Sequence, residues 1–283
     1  MADPAKTISF QGMPGAYSMM ACAAAYPDMT PLPCRTFTDA FEAVNDGRAA
    51  LAMIPIDNSV AGRVADIHHL LPDSGLHIVA EHFQRVSHQL LAVPGATIDE
   101  LTHVHSHVHA LNQCRKLIAE LGIEAVVHVD TAGAAEDIAA AGDKTQAAIS
   151  SELAGQLNGL QVLRNDVEDA EHNTTRFVVM AKTPVDPGVE RDDVVTTFVF
   201  QVRNIPASLF KALGGFATNG VNMTKLESYV DADFNAAQFY ADVDGHPDQG
   251  PLKLALEELV FFTHNVHILG TYPAHAFRRR DNK

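Results

Sequence analysis

The stretch "KTPVDPGVERDDV", residues 182 to 194, most constrains what this chain can fold into. Two prolines, a glycine and a run of charge interrupt a sequence that is patterned on both sides, so regular structure must stop there and begin again. Residues 183 to 193 therefore read as a linker. With 283 residues, 47% of them apolar, the chain has core-forming material for roughly two domains.

Beyond the break the order of elements is short and complete. "VVTTFVFQV" reads as a strand, and "ASLFKALGGFATNG" as a helix with Leu209, Leu213 and Phe216 on one face and Gly220 as its stop. "VNMTKLESYV" and "AAQFYADVDG" suit two strands. "PLKLALEELVFFTH" repeats the helical stripe through Leu252, Leu256, Leu259 and Val260, and "NVHILGTY" closes as a strand. That order is βαββαβ, the ferredoxin-like arrangement, over residues 194 to 278. Before the break, short apolar strands such as "TISF", "AALAMIPI", "THVHS", "AVVHV" and "AAI" each lead into a helical stretch, with extended segments between His77 and Val93. The alternation implies an α/β architecture with parallel sheets. One sheet or two lobes would satisfy it; two lobes around a cleft are the preferred reading.

The formal charge of −15 disfavours a nucleic-acid surface or a polybasic membrane contact, and leaves Arg278 to Arg280 as a solvated basic tail. An anionic ligand must then be held by local devices: helix N-termini, hydroxyls or a placed arginine. No basic segment followed by an apolar run opens the chain, and no stretch approaches the roughly 20 apolar residues of a membrane span, so a cytoplasmic protein is expected. Cys22, Cys34 and Cys114 read as reduced, buried thiols rather than a disulfide framework or zinc knuckle.

In open α/β sheets ligands bind beyond the carboxyl ends of strands; four such junctions here carry polar groups, and the polar start of a further strand is a fifth piece. "GMPGAYS" leaves a strand through Gly12 and Gly15, so amides near Ala16, Tyr17 and Ser18 could cradle an anion, or the glycines could serve only the turn. "PIDNSVAG" offers Asp57, Asn58 and Ser59, either as substrate contacts or as an N-cap for a helix from about Ser59. "HSHVHALNQC" follows His103; four histidines two apart raise a metal site, but Ser106 as an N-cap would turn His107 and His109 away with the new helix. Thr131 in "DTAGAA" starts a helix as cap or ligand group. "NTTRF" sets Thr175 and Phe177 on one strand face and Thr174 and Arg176 on the other: a hydroxyl beside an aromatic ring, or an arginine pairing with a carboxylate and a core phenylalanine.

Taken in order, these five motifs followed by a βαββαβ module carrying "TKLES" resemble prephenate dehydratase with its C-terminal ACT regulatory domain, over residues 7 to about 275. The resemblance implies a catalytic domain at residues 7–182, of the two-lobed type II periplasmic-binding-protein kind, and an ACT domain at 194–278. It implies decarboxylative dehydration of prephenate to phenylpyruvate in phenylalanine biosynthesis, without metal or organic cofactor. By position, Thr175 becomes the central catalytic residue, with Asn58, Ser59, Ser106 and His107 beside it. Ala16, Tyr17, Ser18, Thr131, Arg176 and Phe177 become substrate-binding positions. Thr175 is then a hydrogen-bond donor to the departing hydroxyl, with His107 as the alternative acid. Asp57 stands where the family usually has glutamate, and Val108–His109 where it has Pro-Gln. In the smaller domain Ala207, Ser208, Leu209, Asn222, Glu227 and Ser228 match effector positions for an aromatic amino acid such as L-phenylalanine. Ala207 replaces a glycine there, and Tyr229–Val230 replaces Arg-Pro. ACT modules of this family pair between subunits, implying a homodimer or homotetramer. Arogenate dehydration, or a sensor that binds without catalysis, are the alternatives.

Overall fold

A computed structural model of the chain describes residues 3–203, 205–230 and 236–279. The chain divides into two compact units, one formed by Met1–Val64 with His82–Phe177, the other by Ala65–Glu81 with Val178–Lys283. The first part of the chain runs β1 (Thr7–Gln11), α1 (Tyr17–Ala25), β2 (Thr30–Cys34), α2 (Phe37–Asn45), β3 (Leu51–Asn58), β4 (Gly62–Arg63), α3 (Ala65–Leu70) and β5 (His77–Arg85). It continues with β6 (Gln89–Ala92), β7 (His103–His107), α4 (Val108–Gln113), α5 (Arg115–Leu121), β8 (Glu124–His128), α6 (Thr131–Ala141), β9 (Gln146–Ser150), α7 (Glu152–Leu157), β10 (Gln161–Arg164) and β11 (Thr174–Ala181).

Up to Ala181 the chain builds two lobes, each on its own sheet. One sheet has the order β2-β1-β3-β11-β5 with β4 beside β3, and β1 runs parallel to β2 and β3. Ile8 and Phe10 are fully buried on β1. Between them Ser9, equally buried, satisfies its hydroxyl by donating to the Ala40 carbonyl of α2 at 2.8 Å. A capping box starts α2, with Thr36 and Asp39 exchanging side-chain to backbone bonds of 3.0 Å each way.

The other sheet, β10-β6-β9-β7-β8, has β7 parallel to β8 and β9, but β6 antiparallel to β9 and β10. Its two faces bury alternate residues: Leu90, Val104 and Ile149 pack with Leu111 and Leu117, while Leu91 and Ala148 pack with Ala135 and Ile138. The wholly parallel sheets expected from the alternation are thus corrected to mixed ones. The chain crosses between the lobes twice, at residues 86–88 and 165–173, and strands on the crossings enter against the prevailing direction.

In the second unit β12 (Val194–Val202), α8 (Ser208–Thr218), β13 (Met223–Val230), β14 (Ala236–Asp244), α9 (Gly250–Phe262) and β15 (Thr263–Pro273) follow in βαββαβ order. The sheet order is β13-β14-β12-β15 with antiparallel neighbours. Its core joins Phe198, Phe200 and Phe239 on the strands to Phe216 of α8 and Leu252 and Leu259 of α9. Burying each such side chain stabilises by about 1.5–3 kcal/mol, enough to hold both helices on one face. Arg278 is no solvated tail: its guanidinium grips Glu81 through two bonds of 2.6 and 2.9 Å and donates to Thr224 Oγ1 at 3.1 Å. Arg280 lies outside the described residues.

Among the described residues no helix is long and apolar enough to cross a membrane. All three cysteines are free and buried.

Candidate active site

β11 enters its sheet alongside the carboxyl end of β3, as the Ser59 amide donating to the Thr174 carbonyl at 2.9 Å shows. The polar start of β11 therefore meets the polar end of β3. Asn58 organises the junction. Its Oδ1 accepts from the Val60 and Ala61 amides at 2.9 and 2.7 Å, which fixes which end of the side-chain amide is oxygen. The Nδ2 end must then face Asn173 Oδ1 at 2.8 Å and Thr175 Oγ1 at 3.0 Å, donating to both. Because Thr175 receives a proton from Asn58, its own proton is left to point elsewhere, and among the described residues no acceptor takes it.

Two other hydroxyls expected at the site, those of Ser59 and Ser106, are already engaged. Ser59 donates to the His172 carbonyl at 2.7 Å and accepts from the Thr174 amide at 2.9 Å, stitching β3 to β11. No helix starts there: a turn and the short strand β4 follow, and α3 begins only at Ala65. Ser106 is fully buried within β7 and donates to the Ile149 carbonyl at 2.6 Å, so it is a strand residue and not a cap. His107 caps α4 instead, its Nδ1 accepting from the His109 amide at 3.3 Å. Burial, and then the His109 ring 5.0 Å away, push the His107 imidazole below its ordinary range against the pull of Asp130. A neutral ring is also what a helix N-terminus favours, so His107 is poorly suited to donate a proton. Asp130, not Thr131, caps α6 by accepting from the Gly133 amide at 2.6 Å; Thr131 is the first helical residue and half-buried.

The turn from β1 into α1 needs glycine. Gly15 has φ +90°, and a Cβ there would sit 2.7 Å from the Ala154 backbone of α7. That closeness lets Ser151, the cap of α7, donate to the Gly15 carbonyl at 2.5 Å, bringing the end of β9 in one lobe to the end of β1 in the other. Ala16 is the N-cap of α1 and its amide bonds to the Met13 carbonyl at 3.1 Å. Tyr17 and Ser18 follow as the first two helical residues, whose amides have no partner within a helix. Arg176 and Phe177 are buried, 7% and 1% exposed, so neither ring nor guanidinium presents an open surface.

Three residues not anticipated from sequence complete the junction. Asn173, 1% exposed, passes the bond from Asn58 on to Gln113, its Nδ2 donating to Oε1 at 2.8 Å. Gln113 Oε1 also lies 3.0 Å from His88 Nε2, and His88 Nδ1 lies 2.9 Å from the Tyr17 hydroxyl. Burial lowers the His88 pKa, opposed by the Gln113 bond and the Glu168 carboxylate. Burial likewise holds the Tyr17 phenol well above its ordinary range, aided by Glu168.

Among the described residues, no group of three or more His, Cys, Asp or Glu side chains is placed to hold a metal ion. His105 turns instead to Gln146, at 2.7 Å.

In the second unit, Ala207 holds φ +64°, a left-handed conformation that favours glycine, at the N-cap of α8. Ser208 is buried as the first helical residue and Leu209 packs against the core. Asn222 donates to Asp244 at 2.7 Å, Glu227 pairs with Lys225 at 3.2 Å, and Ser228 is exposed on β13.

Comparison with known proteins gives a consistent picture. The sequence model of the family described as Prephenate dehydratase matches residues 8–185. A bifunctional N-acyl-homoserine lactone acylase/prephenate dehydratase of Komagataeibacter europaeus is 53% identical over 97% of this chain and 98% of its own. Arogenate dehydratase/prephenate dehydratase 1 of Arabidopsis thaliana is 36% identical over 96% of this chain and 73% of its own. Among solved structures, a prephenate dehydratase in complex with L-Phe from Arthrobacter aurescens superposes with a TM-score of 0.87, at 29% identity, over 96% of this chain and 91% of that one.

Proposed function

Because this chain belongs to the prephenate dehydratase family of hydro-lyases, we propose that it converts prephenate to phenylpyruvate with Thr175 assisting departure of the ring hydroxyl. The observation that carries the role of Thr175 is the direction of the Asn58 bond, which leaves the threonine proton free to donate. In the reaction the bond to the ring carboxylate breaks and its electron pair enters the ring as the C–O bond breaks. Carbon dioxide leaves, and the departing hydroxide takes one proton to become water. Aromatisation supplies the driving force, so the protein's task is to place the dianion and stabilise charge developing on the leaving oxygen. A threonine is too weak an acid to surrender its proton outright, so it donates a hydrogen bond while the proton arrives concertedly or through water. The Tyr17 and Ser18 amides and Thr131 are proposed to hold the carboxylates. Asn58, Ser59 and Ser106, whose protons are engaged, build the site around them.

The catalytic unit is read as periplasmic-binding-protein-like and the βαββαβ module as an ACT domain binding L-phenylalanine in a homodimer or homotetramer of a cytoplasmic enzyme. The L-Phe complex of the Arthrobacter protein supports the effector. Incubating the purified chain with prephenate and, separately, with arogenate tests the substrate, with phenylpyruvate and phenylalanine measured individually by chromatography. Phenylpyruvate from prephenate is expected. Faster phenylalanine formation from arogenate would transfer the assignment to that substrate, and ligand-induced thermal stabilisation with neither product would make the protein a sensor. The Komagataeibacter relative favours a second reading, hydrolysis of N-acyl-homoserine lactones, which release of homoserine lactone by the same preparation would establish.

A further inference from the structure

The polarity set at Asn58 continues past the catalytic junction. Asn173 shows its Oδ1 to Asn58, so its Nδ2 faces Gln113 Oε1. That oxygen can only accept, and it is also 3.0 Å from His88 Nε2; the nitrogen must therefore carry a proton. On a neutral ring Nδ1 is then bare and faces the Tyr17 hydroxyl at 2.9 Å, whose one proton also has the Ser87 carbonyl at 2.7 Å; the Tyr17 ring stands edge-on to the imidazole at 5.5 Å. The Gln113 contact fixes the tautomer of a neutral ring as Nε2–H, while the Tyr17 proton is shared between Nδ1 and the Ser87 carbonyl.

The ring is 2% exposed and sits on the first crossing between the two lobes. The second crossing closes around it: the Val86 amide bonds to the Asn173 carbonyl, and the Val167 amide to the His88 carbonyl, each at 2.9 Å. The Glu168 carboxylate takes the His88 amide at 2.8 Å and has Arg85 at 3.8 Å. Glu168, with Arg85 behind it, and the Tyr17 phenol are the ionisable groups facing the ring, and burial outweighs the carboxylate in keeping it neutral.

We propose that His88 is a positioning residue for the dehydration: held with its proton on Nε2, it orients Gln113, Asn173 and Asn58 in turn, so that the Thr175 proton stays directed at the leaving oxygen. His88 acts through three amides and does not touch the substrate. The inference rests on Thr175 being the leaving-group donor. A ring that merely filled space would influence stability but leave the kinetics of the folded enzyme unchanged.

The test uses the full chain with prephenate as substrate, in the variants His88→Leu, His88→Gln and Thr175→Val. His88→Leu should lower kcat about 10- to 100-fold with KM held within about twofold, the effect of a catalytic group misplaced by a fraction of an ångström. His88→Gln, whose amide nitrogen can replace the donor to Gln113, should recover most of that loss. On the unaltered protein, 15N NMR of labelled histidine should show the resonance missing from the His88→Gln spectrum to be the Nε2–H tautomer; this decides the matter even where His88→Leu does not fold. An Nδ1–H tautomer, a His88→Leu kcat within about twofold of the parent, or no recovery by glutamine would each overturn the role of His88. Full activity in Thr175→Val would instead remove the reading on which it rests.

Discussion

Replacing Asn58 by aspartate exchanges one nitrogen for one oxygen and thereby reverses the polarity at the catalytic junction. One carboxylate oxygen keeps the Val60 and Ala61 amides, at 2.9 and 2.7 Å in the parent. The other takes the place of a donor 2.8 Å from Asn173 Oδ1 and 3.0 Å from Thr175 Oγ1. Thr175 then turns its own proton onto the introduced carboxylate, a charge-assisted bond about twice as strong as a neutral one, and no longer offers it to the substrate. Loss of one preorganised donor to developing negative charge lowers kcat by about 100- to 1,000-fold, or roughly 2.7–4 kcal/mol. Asn173 cannot escape by rotating its amide, because its nitrogen is what Gln113 Oε1 accepts. Its buried oxygen is left unsatisfied, which destabilises the fold by about 1–3 kcal/mol. Asn58→Ala is the control: it removes the same donor without adding an acceptor, so Thr175 loses its anchor but keeps its proton for the substrate. Steady-state phenylpyruvate formation, with thermal melting of each variant, should place kcat in the order parent, alanine, aspartate. A kcat for Asn58→Asp equal to or above that for Asn58→Ala would refute the assigned polarity.

Two further substitutions probe the second unit. Ala207→Gly should stabilise by about 0.5–1 kcal/mol, because relief of the left-handed backbone at φ +64° exceeds the added flexibility of the unfolded chain; a lower melting temperature would contradict it. Arg278→Leu leaves the fully buried carboxylates of Glu81 and Asp242 without their shared guanidinium and should destabilise by about 3–5 kcal/mol. At about 2–4 °C per kcal/mol the melting shift is large, and a melting curve superimposable on the parent's would show the clamp to be dispensable.

The βαββαβ module was legible element by element because its helices carry clear apolar stripes and its first strand is a continuous β-branched and aromatic run. The first unit was less so. Neither β2 nor α2 is among the elements legible in the sequence: "TPLPC" carries two prolines that break a strand pattern, and they are tolerated because β2 lies at the sheet edge. The helical stretch that follows "THVHS" is two helices, divided at Cys114. At the site, the polar clusters stood out in the sequence but their roles did not, since a hydroxyl's role depends on where its proton goes. Ser106 and Ser59 direct theirs to backbone carbonyls 43 and 113 residues away. Asn173, Gln113 and His88 meet across separations of 60 and 25 residues, and only the polar residue leading into the buried run "QLLA" hinted at His88.

The dependence of catalysis on one outward-facing proton is measured most directly by single-turnover rates of prephenate aromatisation in Thr175→Val and Thr175→Ser. Valine keeps the shape and lacks the hydroxyl, so the rate at saturation should fall by about 100-fold or more while serine retains most of it. A valine enzyme that aromatises prephenate as fast as the parent would show that another group accompanies the leaving oxygen.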